Sequence, residues 1–380
     1  MAVTWKQYSG VWTMQSQMQA VSAGTWTGFP YLWAWGQNNA GQLGLGNITY
    51  YSSPKQVGAL TNWSSVSCGI SHTVSIKTDG TLWSWGNGGS GQLGLNNLTY
   101  YSSPKQVGAL TNWSSVACGG YYTVAIKTDG TLWSWGDNAR GQLGLGNTTS
   151  YSSPKQVGAL TNWASVSCGE VHTVSIKTNG TLWSWGRNTY GQLGQGNTTY
   201  YSSPKQVGAL TNWLSVSCGT YHTVSIKTNG ALWSWGQNNQ GQLGIGNITN
   251  YSSPMQVGAL TNWSSVSCGS AHTVSIKTDG TLWSWGSGGG GVLGLGNTTS
   301  YSSPKQVGAL TNWYSVSCGG GFNLSIKTDG SLWSWGSNAK GQLGQGNTTN
   351  YSSPKQVGAL TSWTKIFKGC KSTSSLALHS

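Results

Sequence analysis

Four histidines, His72, His172, His222 and His272, stand at one position of a repeating unit and are the first candidates for acid–base or metal chemistry. Tyr122 and Phe322 fill the same position in two other units. A general base or a metal ligand cannot be exchanged for phenylalanine without loss, so the position reads as a packed ring with an occasional hydrogen bond. The carboxylates fail for a different reason. Of the six Asp and Glu in 380 residues, Asp79, Asp129, Asp279 and Asp329 lie in Asp-Gly turns, where backbone conformation explains them. Asp137 and Glu170 fall in different segments of different units, so a paired-carboxylate site is not indicated. Six of the seven cysteines, Cys68, Cys118, Cys168, Cys218, Cys268 and Cys318, recur once per unit, a spacing that reads as small buried residues and not as disulfides. Cys370 is out of register, with Lys368 in the expected place, and no Cys/His spacing suggests zinc. The glycines near Gly41 are not followed by Lys-Ser or Lys-Thr, so no phosphate-binding loop is present. These residues imply no catalytic site, no metal and no cofactor.

The elements that carry them are set by repetition. Leu32-Trp33-Ala34-Trp35-Gly36 returns as Leu-Trp-Ser-Trp-Gly from Leu82, Leu132, Leu182, Leu232, Leu282 and Leu332, a spacing of 50 residues without an insertion. With 58 Gly, 24 Trp and 7% charged residues, the composition suits many short strands and tight turns, and helix should be scarce. In each unit, Val74 to Trp83 and its equivalents alternate about an Asp-Gly or Asn-Gly pair, a strong hairpin signal. A two-residue loop would set Thr78 against Thr81, Ile76 against Trp83 and Val74 against Trp85. One face of the hairpin would then be bulky and the other, with Ser75 and Ser84, nearly flat. The last unit stops at Ser374-Ser375-Leu376-Ala377-Leu378, where its turn should come, and the first lacks the strand that should precede Tyr31. Pairing Leu376 with Trp33 and Ser374 with Trp35 would close the ring and remove both sheet edges. The fold class is therefore all-β: a seven-bladed β-propeller over residues 31–380, preceded by a short arm, residues 1–30.

The motif Val66-Ser67-Cys68-Gly69-Ile70-Ser71-His72-Thr73-Val74-Ser75-Ile76 resembles the signature of the regulator of chromosome condensation repeats, and Gly41-Gln42-Leu43-Gly44-Leu45-Gly46 is similar to a second part of it. The resemblance covers residues 31–380 and decays in the last unit. It implies four-stranded blades, closure by the chain ends, and functions carried by loops on the two faces. Such propellers include a guanine-nucleotide exchange factor for a nuclear GTPase, membrane-traffic regulators, and bacterial and phage proteins. The exchange-factor reading expects irregular repeats with a protruding wedge and acidic contacts, whereas these units are uniform and poor in carboxylates. A second resemblance lies in the arm. Gly10-Val11-Trp12-Thr13-Met14-Gln15-Ser16-Gln17-Met18-Gln19-Ala20 followed by Gly24-Thr25-Trp26 is similar to the leader of bacteriophage tail and other virion proteins.

Nineteen Lys and Arg give a formal charge of +13, but twelve of them are two lysine series, at Lys55 and at Lys77, spread around the ring. Without a basic run or an arginine stripe, nucleic acid is not indicated as a partner. No apolar run approaches the ~20 residues of a membrane span, and the first thirty residues lack a secretion-signal pattern. Because the units are nearly identical, their differences have an address. One variable window follows the paired tryptophans (residues 37–40, 87–90, 137–140, 187–190, 237–240, 287–290 and 337–340), and a second precedes the histidine position. Within these windows Tyr121, Arg140, Arg187, Tyr190 and Tyr221 are the candidate contacts, since aromatic and arginine side chains supply most binding energy at interfaces. In the arm, Trp5, Trp12, Met14, Met18 and Trp26 are candidate docking residues. The sequence points to a non-enzymatic structural or binding scaffold. Its leading reading is a virion component, tail-associated or on the particle surface, contacting other subunits or a host-surface glycan or protein. The alternatives are a cytoplasmic protein-interaction propeller, including a GTPase regulator, and a glycan-binding lectin. A homo-oligomer is compatible with all three.

Overall fold

A computed structural model describes residues 31–59, 62–367, 369 and 372–379. The arm, with Trp5, Trp12, Met14, Met18 and Trp26, and the out-of-register Cys370 lie outside the described residues.

Strand β1 (Tyr31–Gly36) and strand β2 (Tyr51–Gln56) belong to the blade that closes the ring. The next blade is built from β3 (Trp63–Cys68), β4 (His72–Lys77), β5 (Leu82–Gly86) and β6 (Tyr101–Gln106). The same four strands recur five more times, from β7 (Trp113–Cys118) to β26 (Tyr351–Gln356). Each blade is an antiparallel meander, so alternate connections emerge at opposite ends of the sheets. One end carries the β3–β4 and β5–β6 connections and their equivalents; we call it the loop face. The other carries the Asp-Gly turns and the Gly-Ala-Leu-Thr-Asn connections, the turn face. The outermost strands read Tyr-Ser-Ser-Pro-Lys-Gln, with Met255 for the lysine in one, and the proline and exposed lysine discourage edge-to-edge pairing.

The hairpin register differs by one residue from the two-residue loop. Lys77 N–H donates to the Thr81 carbonyl at 3.0 Å and Gly80 N–H to the Lys77 carbonyl at 3.0 Å, so the loop holds three residues, Thr78-Asp79-Gly80. Gly80 adopts φ +76°, where a side chain is strained. Asp79 Oδ1 accepts from both Thr81 N–H (2.9 Å) and Thr81 Oγ1 (2.7 Å), closing the turn. The pairs are therefore Ile76 with Leu82, Val74 with Ser84, Ser75 with Trp83 and Thr73 with Trp85. A one-residue slip exchanges the faces. The two faces are consequently aliphatic (Val74, Ile76, Leu82) and indole-bearing (Trp83, Trp85), and not bulky against flat.

This arrangement explains how the tryptophans pack. The aliphatic face of each blade meets the indole face of the next: Val74, Ile76 and Leu82 share one core with Trp113 and Trp135. Trp85 Nε1 donates to the Gln42 carbonyl of the preceding repeat at 2.9 Å, and the equivalent bond recurs around the ring. Within a blade, Trp63 stands edge-on to Trp83 and Trp85, with ring centroids 6.2 and 5.8 Å apart. The Lys77 ammonium covers both Trp63 and Trp83, at 5.0 and 4.1 Å.

The last blade is composite. Strands β27 (Trp363–Ile366) and β28 (Ser374–His379) join β1 and β2 in the order β2-β1-β28-β27. Here too the register is corrected: Leu376 pairs with Ala34 and Ser374 with Gly36, while Trp33 pairs with Ala377 and Trp35 with Ser375. Leu376 and Leu378 thereby share the aliphatic core of Leu32 and Ala34. Trp35 Nε1 donates to Gln342 at 2.9 Å, the bond that joins the last unit to the first. His379 takes the place that lysine holds elsewhere, 4.9 Å from Trp363 and 6.2 Å from Trp33.

Candidate interaction surface on the loop face

The histidine position is structural. His72, His172, His222 and His272 are buried, and each places Nε2 against the next blade: 3.2 Å from Thr123, Thr223 and Thr273 Oγ1, and 2.9 Å from Asn323 Oδ1. Thr123 Oγ1 donates to the Gln92 carbonyl at 2.8 Å, so the imidazole Nε2 is the donor of the pair. Burial pushes His72, His172 and His222 down to about 3 and His272 to about 4, below the usual 6.5. At Tyr122 the phenol reaches across the same interface and donates to the His172 carbonyl at 2.5 Å. Gly69 has no side chain because the His72 ring occupies the space a Cβ would need.

The repeated cysteines ring the axis. Cys118 N–H donates to Ser67 Oγ at 2.9 Å and its Sγ to the Ser67 carbonyl at 3.3 Å; Cys218, Cys268 and Cys318 repeat the contact. Burial pushes the Cys118 thiol up to about 12 and Cys68 higher still, so these are unreactive thiols, and both are free of disulfides. The axial cavity they border, with Val116, Val166 and Phe367, holds about 190 Å³. At the loop face its mouth is bridged by backbone bonds running from blade to blade, Ile70 N–H to Gly120 O, Gly120 N–H to Glu170 O and Glu170 N–H to Thr220 O. Among the described residues no group of three or more His, Cys, Asp or Glu is placed to hold a metal ion, and no helix is long and apolar enough to cross a membrane.

Both variable windows open on the loop face, and they touch. Asn87 N–H donates to the Ser71 carbonyl (2.8 Å), Asp137 to Tyr121 (2.9 Å), Arg187 to Val171 (2.9 Å) and Gln237 to Tyr221 (2.8 Å). Each pair of windows is therefore one surface element fixed by a backbone bond. Buried Asn138 and Asn188 hold the first window from beneath, each accepting from Leu143 or Leu193 N–H at 2.9 Å. The amide of Gln192 does the same for Tyr190, accepting its N–H at 2.9 Å.

Three of the five candidate contacts converge. The Arg187 guanidinium lies 5.0 Å over the Tyr221 ring of the next blade, with Nη1 3.5 Å from its hydroxyl, and Tyr190 stacks at a tilt on Tyr221 with centroids 5.4 Å apart. Arg187 Nε donates to Thr189 Oγ1 at 3.0 Å, and Thr189 Oγ1 is 2.5 Å from the Tyr200 hydroxyl. Burial, then a hydrogen bond to Glu170 and that residue's charge, pushes Tyr221 up to about 12. Tyr200 moves the other way, lowered by its hydrogen bond to Thr189 and by the charges of Arg187 and Arg140. The protein's two arginines, Arg140 and Arg187, fall on neighbouring blades of one face. Tyr121 is 40% exposed on the same face, its carbonyl bound to Asp137, with no side-chain contact to the cluster.

Sequence reasoning missed a third window. Residues 48 and 50 of the long β5–β6 type connection vary as Ile48 and Tyr50, Leu98 and Tyr100, Thr148 and Ser150, Thr198 and Tyr200. Ile48, Leu98 and Ile248 are 59–65% exposed, and Tyr50, Tyr100 and Tyr200 are 40–54% exposed. Lys340 lies 5.6 Å over the Tyr50 ring, as Arg187 and Thr189 approach Tyr200. The signal was available in the same unit-by-unit comparison that exposed the other two windows. Glu170, an isolated acid in the sequence, is a hydrogen-bonding partner of Tyr221.

A closed ring of near-identical four-stranded blades defines a β-propeller. The model of the RCC1-like domain matches residues 14–214, and the model of the regulator of chromosome condensation (RCC1) repeat matches residues 229–276, 279–326 and 329–376. The chain belongs to the RCC1-like domain family. No curated protein sequence matches it. Among solved structures it is similar to human WBSCR16 (TM-score 0.82, 20% identity, covering 92% of this chain and 98% of that one). It is also similar to Prp20p from Saccharomyces cerevisiae, reported with its binding properties to Gsp1p and histones (TM-score 0.82, 19% identity, 93% and 92% covered). A third similar structure is Kap60 bound to yeast RCC1 (TM-score 0.82, 19% identity, 92% and 88% covered). At these identities the likeness is one of fold.

Proposed function

We propose that this chain is a non-enzymatic protein-interaction propeller whose partner docks on the loop face over three consecutive blades, where Tyr121, Arg140, Arg187, Tyr190, Tyr200 and Tyr221 lie. The observation that carries the reading is the Arg187–Tyr221–Tyr190 stack, a half-buried cation and two phenols held by backbone bonds on a rigid ring. Rigid aromatic and arginine anchors lose little entropy on docking and so favour a protein surface. That the yeast neighbours are reported with protein partners supports a protein over a glycan or a particle surface. The virion reading drew on residues 1–30, and no observation within the described residues favours it.

The test is a photo-crosslinking amino acid placed at Arg140, on the loop face, or at Lys155, on the rim, in cells of the source organism. The account expects a defined protein adduct from position 140, absent from position 155, and lost when Arg187→Ala and Tyr190→Ala are combined. Equal adducts from both positions, or an adduct indifferent to the double substitution, contradict it.

A further inference from the structure

The turn face repeats one construction from blade to blade. Leu110, Leu160, Leu210, Leu260, Leu310 and Leu360 are each 48–50% exposed, a half-exposed apolar position shared by six units. Leu110, Leu160 and Leu210 each form one wall of a groove between adjacent blades. The Leu160 groove is completed by Leu145, Val157, Trp163, Trp183 and Pro204 and encloses about 320 Å³; those at Leu210 and Leu110 enclose about 350 and 580 Å³. Every one of these three blade junctions therefore offers a projecting side chain and, beside it, a hollow that would accept one.

Charge separates this face from the rest of a chain of net +13. Its lysines are folded back: Lys127 lies 3.8 Å over Trp133 and Lys177 lies 3.7 Å over Trp183, and the series is only 6–7% exposed. Four of the six carboxylates, Asp79, Asp129, Asp279 and Asp329, sit in the turns here. The rim lysines, Lys55 and its equivalents, are exposed, each 4.5–5.6 Å over the tyrosine ring of its own strand.

We propose that the turn face is a self-association surface on which a second copy of this chain docks, turn face to turn face, the leucines of each ring entering the grooves of the other. A two-fold interface must be self-complementary, and a surface that alternates knob and hollow over three successive blade junctions meets that requirement. Six half-exposed leucines with their groove walls present on the order of 500 Å² per copy, about 1,000 Å² in the pair, which reaches the lower bound of specific interfaces. The inference goes beyond the loop-face reading and leaves both loop faces pointing outward and free.

Sedimentation velocity of the full chain, from low to high micromolar, tests it. The expected result is a shift from the 40.1 kDa monomer to twice that mass. The combined substitution Leu160→Asp, Leu210→Asp and Leu260→Asp should weaken association by about tenfold or more while the melting transition stays cooperative, and Arg187→Ala with Tyr190→Ala should leave it unchanged. A wild-type chain that stays monomeric throughout overturns the proposal, as does a dimer unaffected by the triple aspartate variant. Loop-face crosslinking in that variant reports separately on the partner site.

Discussion

At the scale of single residues, the interior is polar at well-defined points and the surface is distinctive at few. The buried histidines are the clearest case. Each is held neutral in the folded ring, with its pKa depressed to about 3 or 4 against 6.5 in the unfolded chain. The unfolded chain therefore binds more protons below pH 6.5, so the stability this contributes is full above that pH and is lost as pH falls through the window toward about 3. Phenylalanine already fills this position at Phe322, and Thr223 and Thr273 keep their bonds to backbone carbonyls without the imidazole. Replacing His172 and His222 together with Phe should then change stability little at pH 7 and flatten its decline between pH 6.5 and 4, measured by urea unfolding at stepped pH. An unaltered pH slope would show that these rings are not the titrating groups. Much at this scale was legible. Arg187, Tyr190 and Tyr221 stand out because seven internal copies expose their own exceptions. That they meet across a blade boundary, and that Tyr200 and Glu170 complete the group, depends on a neighbour relation between units that the sequence does not display.

At the scale of strands and turns, alternation revealed the hairpins but not their register. Asp-Gly suits both two-residue and three-residue loops, and only the hydrogen bonds of Lys77 with Thr81 and Gly80 decide between them. The consequence is large because one residue of slip moves Trp83 from the face of Ile76 to that of Ser75 and Lys77. The cation–indole stack of each blade and the aliphatic-to-indole contact between blades both follow from it. Gly80 is the residue on which this register turns: it needs φ +76°, and a Cβ there would collide with the Thr111 carbonyl of the following connection. Gly80→Ala should destabilise the fold by about 2 kcal/mol or more, from backbone strain plus the displaced Thr111 connection. Thermal unfolding would show it as a lowered Tm, and a variant as stable as the parent would contradict the strained, Thr111-packed turn.

At the scale of the whole molecule, the unequal ends of the repeat announced a closed ring, since the strand missing from the first unit is the one present at the end of the last. The position of closure was off by one for the same reason as in the hairpins. The chain also spends two extra residues between Gly369 and Leu376 compared with Gly69 and Val74, which shifts the last strand against the 50-residue count. Closure makes the loop face a rigid platform, because no blade has a free neighbour along which to shear, and the contact of Arg187 with Tyr221 across two blades depends on that rigidity. Strand β28 holds both β1 and β27, and Leu376 and Leu378 sit in the core with Leu32 and Ala34. The most direct test is the thermal transition of the chain lacking residues 372–380, followed by calorimetry beside the intact protein. The closed ring predicts loss of the single cooperative transition; an unchanged melting temperature would contradict it.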